Sequence, residues 1–226
     1  MSQVFDFLFG QYSDYLPIDI ALEIIAVLFG LLSVIYAKKN SVLVYPTGMI
    51  STAIFVYLLI KWALLGDLLI NAYYFVMSAY GWYYWSQKKE EVYVNQVAST
   101  TVKERQISVV LFLLSLGFVF GVYQLFNRWN DWTAYVDTLT TAIFFVGMWL
   151  MARRKIENWI FWIVGDIISV PLYFYKGLTL TSLQYLIFTL IAVFGYITWK
   201  KILNKSLPGI NRNPCCSNGS SGMVLG

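Results

Sequence analysis

Residues 81–85 read GWYYW, and residues 195–199, 114 positions further on, read GYITW. The same ungapped shift sets Glu23 against Asp137 and brings Lys38/Lys39 almost onto Arg153/Arg154/Lys155. One period that carries glycine, aromatic and acidic positions together is the mark of internal duplication. Both halves are hydrophobic throughout, so the duplicated object reads as a membrane bundle. In such bundles substrates commonly bind where the two repeats meet, which makes this a transporter signal.

Composition agrees with that reading. Hydrophobic residues make up 59% of the chain and charged residues 12%, too apolar for a soluble surface. A crossing helix needs roughly 20 mainly apolar residues for about 30 Å of hydrocarbon. Seven stretches qualify, at about 19–37, 42–60, 68–85, 107–126, 135–151, 159–175 and 180–199. Barrel strands would be shorter and would alternate apolar with polar residues, and these stretches do not. The first residues have neither a basic segment nor a small-residue cleavage site, so they do not read as a signal peptide.

The Lys and Arg residues set an expected orientation. Lys38 and Lys39 lie in the first loop; Lys88, Lys89, Lys103 and Arg105 in the third; Arg153, Arg154 and Lys155 in the fifth. Lys200, Lys201, Lys205 and Arg212 follow the last stretch, and only Lys61, Arg128 and Lys176 fall opposite. Cytoplasmic loops collect basic residues, so the N-terminus is expected outside and the C-terminus inside. The net charge of +4 is then membrane topology and needs no nucleic-acid partner. Seven spans with a repeat of three divide as 3+1+3, and four crossings between matching spans make the repeats parallel. Parallel repeats about an axis along the membrane normal are the arrangement of the SWEET carriers. The expected fold is therefore an all-α integral membrane protein with seven transmembrane helices in one domain over 1–201. Its first repeat spans about 18–89, its connector helix about 105–127 and its second repeat about 133–201. Residues 202–226, rich in Gly, Ser and Asn from Pro208, read as a flexible cytoplasmic tail.

Several chemistries are missing. The chain has no His, and its two cysteines, Cys215 and Cys216, lie in that tail. Metal sites and thiol catalysis within the membrane are excluded, no cofactor is implied, and no Walker A motif is present. No nucleophile–base pair is visible, so the chain does not read as an enzyme.

Polar residues inside the bilayer carry more information. Asp166 lies seven residues beyond Trp159, about 10 Å deep at 1.5 Å per residue. An ionisable group there costs several kcal/mol unless it faces a polar cavity or a partner. Its helical stripe carries Trp159, Trp162, Ser169 and Tyr173. Aromatic faces beside a carboxylate suit a flat organic cation; interfacial anchoring of Trp159 and a structural hydrogen bond from Asp166 to a Thr or Tyr are the bland alternative. Helix 3 offers Asn71, Tyr74, Ser78 and Gly81, and helix 7 offers Gln184 and Phe188. Asn71 and Gln184, one residue off the strict shift, are candidates to approach a central site from opposite sides; packing between helices explains each equally well. Glu23 and Asp137 are expected in the first turns of their helices, where carboxylates are favourable, with Thr138 adding a hydroxyl to an outer vestibule. Pro46 and Pro171 are expected to interrupt helices 2 and 6.

The runs LEIIAVLFGLLSVIYAKKNSVLVYPTG (22–48), INAYYFVMSAYGWYYW (70–85), KIENWIFWIVGDIISVPLYFYKG (155–177) and SLQYLIFTLIAVFGYITWKK (182–201) resemble the PnuC family of bacterial vitamin-precursor transporters. The resemblance extends from about Ile18 to Lys201, and ENWxxW is its most specific part. It implies a SWEET-like fold, a homo-trimer in the bacterial cytoplasmic (inner) membrane, and facilitated diffusion with trapping by an intracellular kinase. The implied substrate is nicotinamide riboside, with thiamine as the alternative and riboflavin carried by other relatives. The chain departs from the family at Asp166, where Asn is common, at Asn71, where Gln is common, and at Gln184, where Glu can stand. Nicotinamide riboside and thiamine both carry a fixed charge on an aromatic ring, so Asp166 suits either. An ion-coupled carrier and a non-transporting sensor are the readings from other classes.

Overall fold

The computed structural model describes residues 16–61, 65–89, 92–126, 132–175 and 179–206. These form seven helices: α1 (Pro17–Lys38), α2 (Val44–Lys61), α3 (Leu65–Ser86), α4 (Val102–Leu125), α5 (Thr133–Ala152), α6 (Asn158–Tyr175) and α7 (Thr179–Ser206). A two-residue hairpin, β1 (Lys88–Lys89) with β2 (Val92–Tyr93), lies between α3 and α4. Among the described residues, six helices are long and apolar enough to cross a membrane. The seventh, α3, carries five tyrosines and two tryptophans, which lower its hydropathy while remaining compatible with the membrane interface.

Local chemistry explains where the helices begin. Thr101 and Glu104 form a reciprocal cap: the Glu104 amide donates to Thr101 Oγ1 at 3.3 Å, and the Thr101 amide to Glu104 Oε2 at 2.9 Å. Such a box starts a helix before its apolar run, so Lys103 and Arg105 belong to α4 and not to a loop. Glu23 and Asp137 are not in first turns, because α1 and α5 begin at Pro17 and Thr133. Asp19 holds that place in α1 and pairs with Lys61 at 2.6 Å, joining the start of α1 to the end of α2. Pro46 is the third residue of α2, where an amide has no intrahelical acceptor, so no bond is lost there. Pro171 does lie inside α6. α7 continues to Ser206, five residues beyond the expected boundary at 201; the rest of the tail lies outside the described residues, as do Asp6, Asp14, Arg128 and Lys176.

Six helices close a ring. α1 packs on α2, α2 on α3, α3 on α5, α5 on α6, α6 on α7, and α7 on α1, while α4 lies outside against α5. At the end of the ring that carries Lys38 and Arg153, four aromatic rings are buried together: Tyr45, Trp85, Trp159 and Trp199. Tyr45 meets Trp85 edge-on at 5.1 Å and 89°, and Trp159 meets Trp199 at 5.5 Å and 89°. Gly81 and Gly195 make room for this. A Cβ at Gly81 would stand 2.3 Å from the Tyr45 ring, and one at Gly195 2.6 Å from Trp159. The Trp85 indole donates to the carbonyls of Met151 and Ala152, each at 3.2 Å, and the Trp199 indole to Ala37 at 2.9 Å. These bonds tie α3 to α5 and α7 to α1.

The adjoining loops are also joined. Among the described residues, Asn40 (φ 55°) and Arg154 (φ 60°) are the non-glycine residues in the left-handed region. Arg154 Nε donates to Asn40 Oδ1 at 2.9 Å, and its guanidinium lies 4.3 Å from the centre of the Trp85 ring. The chain before α4 is fastened beneath them, with Ile156 donating to the Ala98 carbonyl at 3.0 Å and Ala98 to that of Arg154 at 3.2 Å.

Candidate functional site

Inside the ring lies a cavity of about 240 Å³, at the small end of ligand sites, which typically run to ~300–1,000 Å³. α6 supplies Trp159, Trp162 and Asp166 to it, at the three- and four-residue spacings that share a helix face. α5 contributes Phe144, α3 Tyr74 and Ser78, and α7 Tyr185 and Phe188. The opposite wall is made of small residues of α1 and α2, including Gly30, Ser33, Gly48, Ser51 and Thr52.

The aromatic wall is itself layered. Phe144 stacks on Trp162 at 5.4 Å and 28° and lies nearly parallel to Tyr185 at 6.1 Å and 9°. Tyr74 approaches Trp162 at 6.4 Å. Gly165 permits the Phe144 position, since a Cβ there would come within 2.3 Å of that ring. Trp159 is 1% exposed, so it is a cavity residue docked on α7, not an interfacial anchor.

Asp166 is 3% exposed, and no hydrogen bond to its carboxylate is made among the described residues. The bonded Thr or Tyr that would have made it structural is therefore not found there. Among the described residues, no Lys or Arg lines the cavity. A carboxylate in such a place favours a cationic guest, because a charge near ~4 Å is worth about 4 kcal/mol at an effective dielectric of 20, and it disfavours anions.

Trp159, Trp162, Asp166 and Tyr74 thus meet at one cavity, as their sequence positions suggest. Asn71, Gln184 and Thr138 are not among its lining residues. Thr138 gives its hydroxyl to the Ala134 carbonyl at 2.8 Å, within its own helix. Tyr185, Phe144, Tyr45 and Thr52 were missed. The strict shift of 114 would have found two of them, since it pairs Asn71 with Tyr185 and Thr52 with Asp166.

Charge at the basic end is organised apart from the cavity. Glu104 pairs with Lys155 at 3.1 Å and Arg153 at 3.5 Å. Burial works against the Arg153 charge, but hydrogen bonds with Tyr80 and Glu104 and the nearby tyrosines outweigh it, holding its pKa above the ordinary arginine value.

A family model described as nicotinamide mononucleotide transporter matches residues 20–201. The chain is similar to the nicotinamide riboside transporter PnuC of Escherichia coli (strain K12), with 25% identity over 201 residues, covering 79% of this chain and 84% of that protein. It is 25% identical over 199 residues to the nicotinamide riboside transporter PnuC of Neisseria mucosa, covering 83% and 74%. The riboflavin/roseoflavin transporter RibM of Streptomyces davaonensis is 24% identical over 125 residues, covering 54% and 58%. A crystal structure of the vitamin B3 transporter PnuC shares the fold, with a TM-score of 0.63 at 23% identity, covering 90% of this chain and 87% of the other.

Proposed function

The chain belongs to the nicotinamide mononucleotide transporter family, and from that premise we propose that it carries nicotinamide riboside into the cytoplasm. It is a multi-pass protein of the bacterial inner membrane and a transporter, not an enzyme. The observation that carries the substrate is Asp166: buried, without a protein hydrogen bond among the described residues, and facing a cavity walled by aromatic rings. A flat ring bearing a fixed positive charge satisfies both features. A phosphate finds no base among the described residues that line the cavity, which favours the nucleoside over the nucleotide. That preference makes intracellular phosphorylation a trap and needs no ion gradient, hence facilitated diffusion. Thiamine has the same kind of charge and is the second reading. Riboflavin is neutral and larger, and gains nothing from Asp166.

The basic end of the ring is the cytoplasmic end in this reading, with the N-terminus outside. The architecture is two parallel three-helix repeats around α4. Support comes from residues 114 apart in matching roles: Tyr45 and Trp159 lie on Gly81 and Gly195, and Trp85 and Trp199 donate to Met151 and Ala37. The contact of α1 with α7 matches that of α5 with α3. The trimer follows from family resemblance alone.

The test is Asp166→Asn, measured by calorimetric binding of nicotinamide riboside and of its reduced, uncharged form. Affinity for the cation should fall tenfold or more, about 1.4 kcal/mol or above, with little change for the neutral form. Equal behaviour of variant and parent towards both ligands would make the carboxylate structural. Counterflow in proteoliposomes without an ion gradient separates a passive carrier from a coupled one and from a sensor.

A further inference from the structure

The wall across the cavity from α6 has its own chemistry. α2 lies opposite α6 in the ring, and its half-buried Thr52 lines the cavity beside Ser51, with Ser33 of α1 near by. Every one of these hydroxyls has already committed its proton. Thr52 Oγ1 donates to the Gly48 carbonyl at 2.9 Å, Ser51 Oγ to Ala26 at 2.7 Å, and Ser33 Oγ to Val44 at 2.9 Å. A hydroxyl that has given its proton away keeps only acceptor lone pairs. Glycines adjoin two of them: Ser51 Oγ and Ser33 Oγ stand at 3.2 and 3.0 Å from where a Cβ on Gly30 or Gly48 would be. The aromatic wall presents ring faces and one carboxylate, while this wall presents oxygen acceptors.

We propose that Thr52 is a specificity-determining residue, whose acceptor-only hydroxyl receives a hydrogen bond from the hydroxylated end of the substrate while the charged ring lies against Trp162 and Asp166. The proposal rests on the nicotinamide riboside reading and adds an orientation to it: ring towards α6, ribose towards α2. The bland role for such small residues is close packing of α1 on α2. That role would make the hydroxyl matter equally for every ligand, and the two accounts therefore part on a ligand that has the ring and charge but no hydroxyls.

The 1-methylnicotinamide cation, methylated on the ring nitrogen, is such a ligand. Binding of it and of nicotinamide riboside is measured by calorimetry on the full chain, with melting curves for each variant. Thr52→Val keeps the shape and removes the acceptor; Thr52→Ser keeps the acceptor. The riboside should bind Thr52→Val about five- to tenfold more weakly, as expected for one buried hydrogen bond, with 1-methylnicotinamide unchanged and Thr52→Ser close to the parent for both. Parent-like riboside binding by Thr52→Val overturns the proposal. So does an equal loss for both ligands, or a Thr52→Ser variant as weak as Thr52→Val. A folded parent that binds neither ligand fails the substrate reading itself, and this inference falls with it.

Discussion

Trp162 stands where three helices converge, stacked on Phe144 of α5 and approached by Tyr74 of α3. If its face also receives the substrate ring, Trp162→Ala should weaken binding of nicotinamide riboside by about 1–3 kcal/mol, and Trp162→Phe should keep part of it. Unchanged affinity in a folded alanine variant would return Trp162 to packing. Such residues were legible in the sequence because charge and aromatic bulk are rare and costly in an apolar helix, so Asp166 and its stripe stand out. Thr52 was not legible. A hydroxyl bonded to its own helix looks the same in sequence whether it faces a cavity or a neighbour. Asn71 and Gln184 drew notice as polar groups in lipid, yet the cavity is lined instead by Tyr185, at the strict equivalent of Asn71.

The seven helices were readable from their apolar lengths, and their beginnings to within three residues except for α4. α4 starts with the Thr101–Glu104 cap, a polar signal lying outside the apolar stretch. Packing between elements turns on two glycines whose importance the repeat did indicate. Ala is better than Gly inside a helix by about 1 kcal/mol, so Gly195→Ala would stabilise an uncrowded α7. Here the added Cβ would meet the buried Trp159 ring at 2.6 Å. Overpacking costs typically 1–3 kcal/mol, and it opposes the propensity gain, leaving a net loss of up to about 2 kcal/mol. A melting temperature below that of the parent is expected; a higher one would show that the ring can give way.

The ring of helices is a property of the whole molecule and could not be read locally. Closure of α1 on α7 and of α3 on α5 joins residues more than a hundred positions or tens of positions apart, as in the bond from Trp199 to Ala37, and no local pattern records that. The distribution of charge is what the proposed orientation rests on. Thirteen of the sixteen basic residues are expected on one side, so a tag at the C-terminus should be reached only from the cytoplasm and one at Ser2 only from outside. Labelling of both tags from the same side would remove the seven-span topology and the parallel repeat with it.

Among the described residues the cavity is lined by one carboxylate, Asp166, and 114 positions before it stands Thr52. In an assembly of two identical halves this could not be so, because whatever occupies one position occupies its mate. Two carboxylates confronted across a small cavity must share a proton or await two positive charges. In the proposed repeat, joining the halves in a single polypeptide lifts that parity and allows an odd charge. With Asp166 ionised, its one negative charge is balanced by a monovalent cation, whereas a dication, or a guest bringing its own carboxylate, would leave a buried charge without its complement.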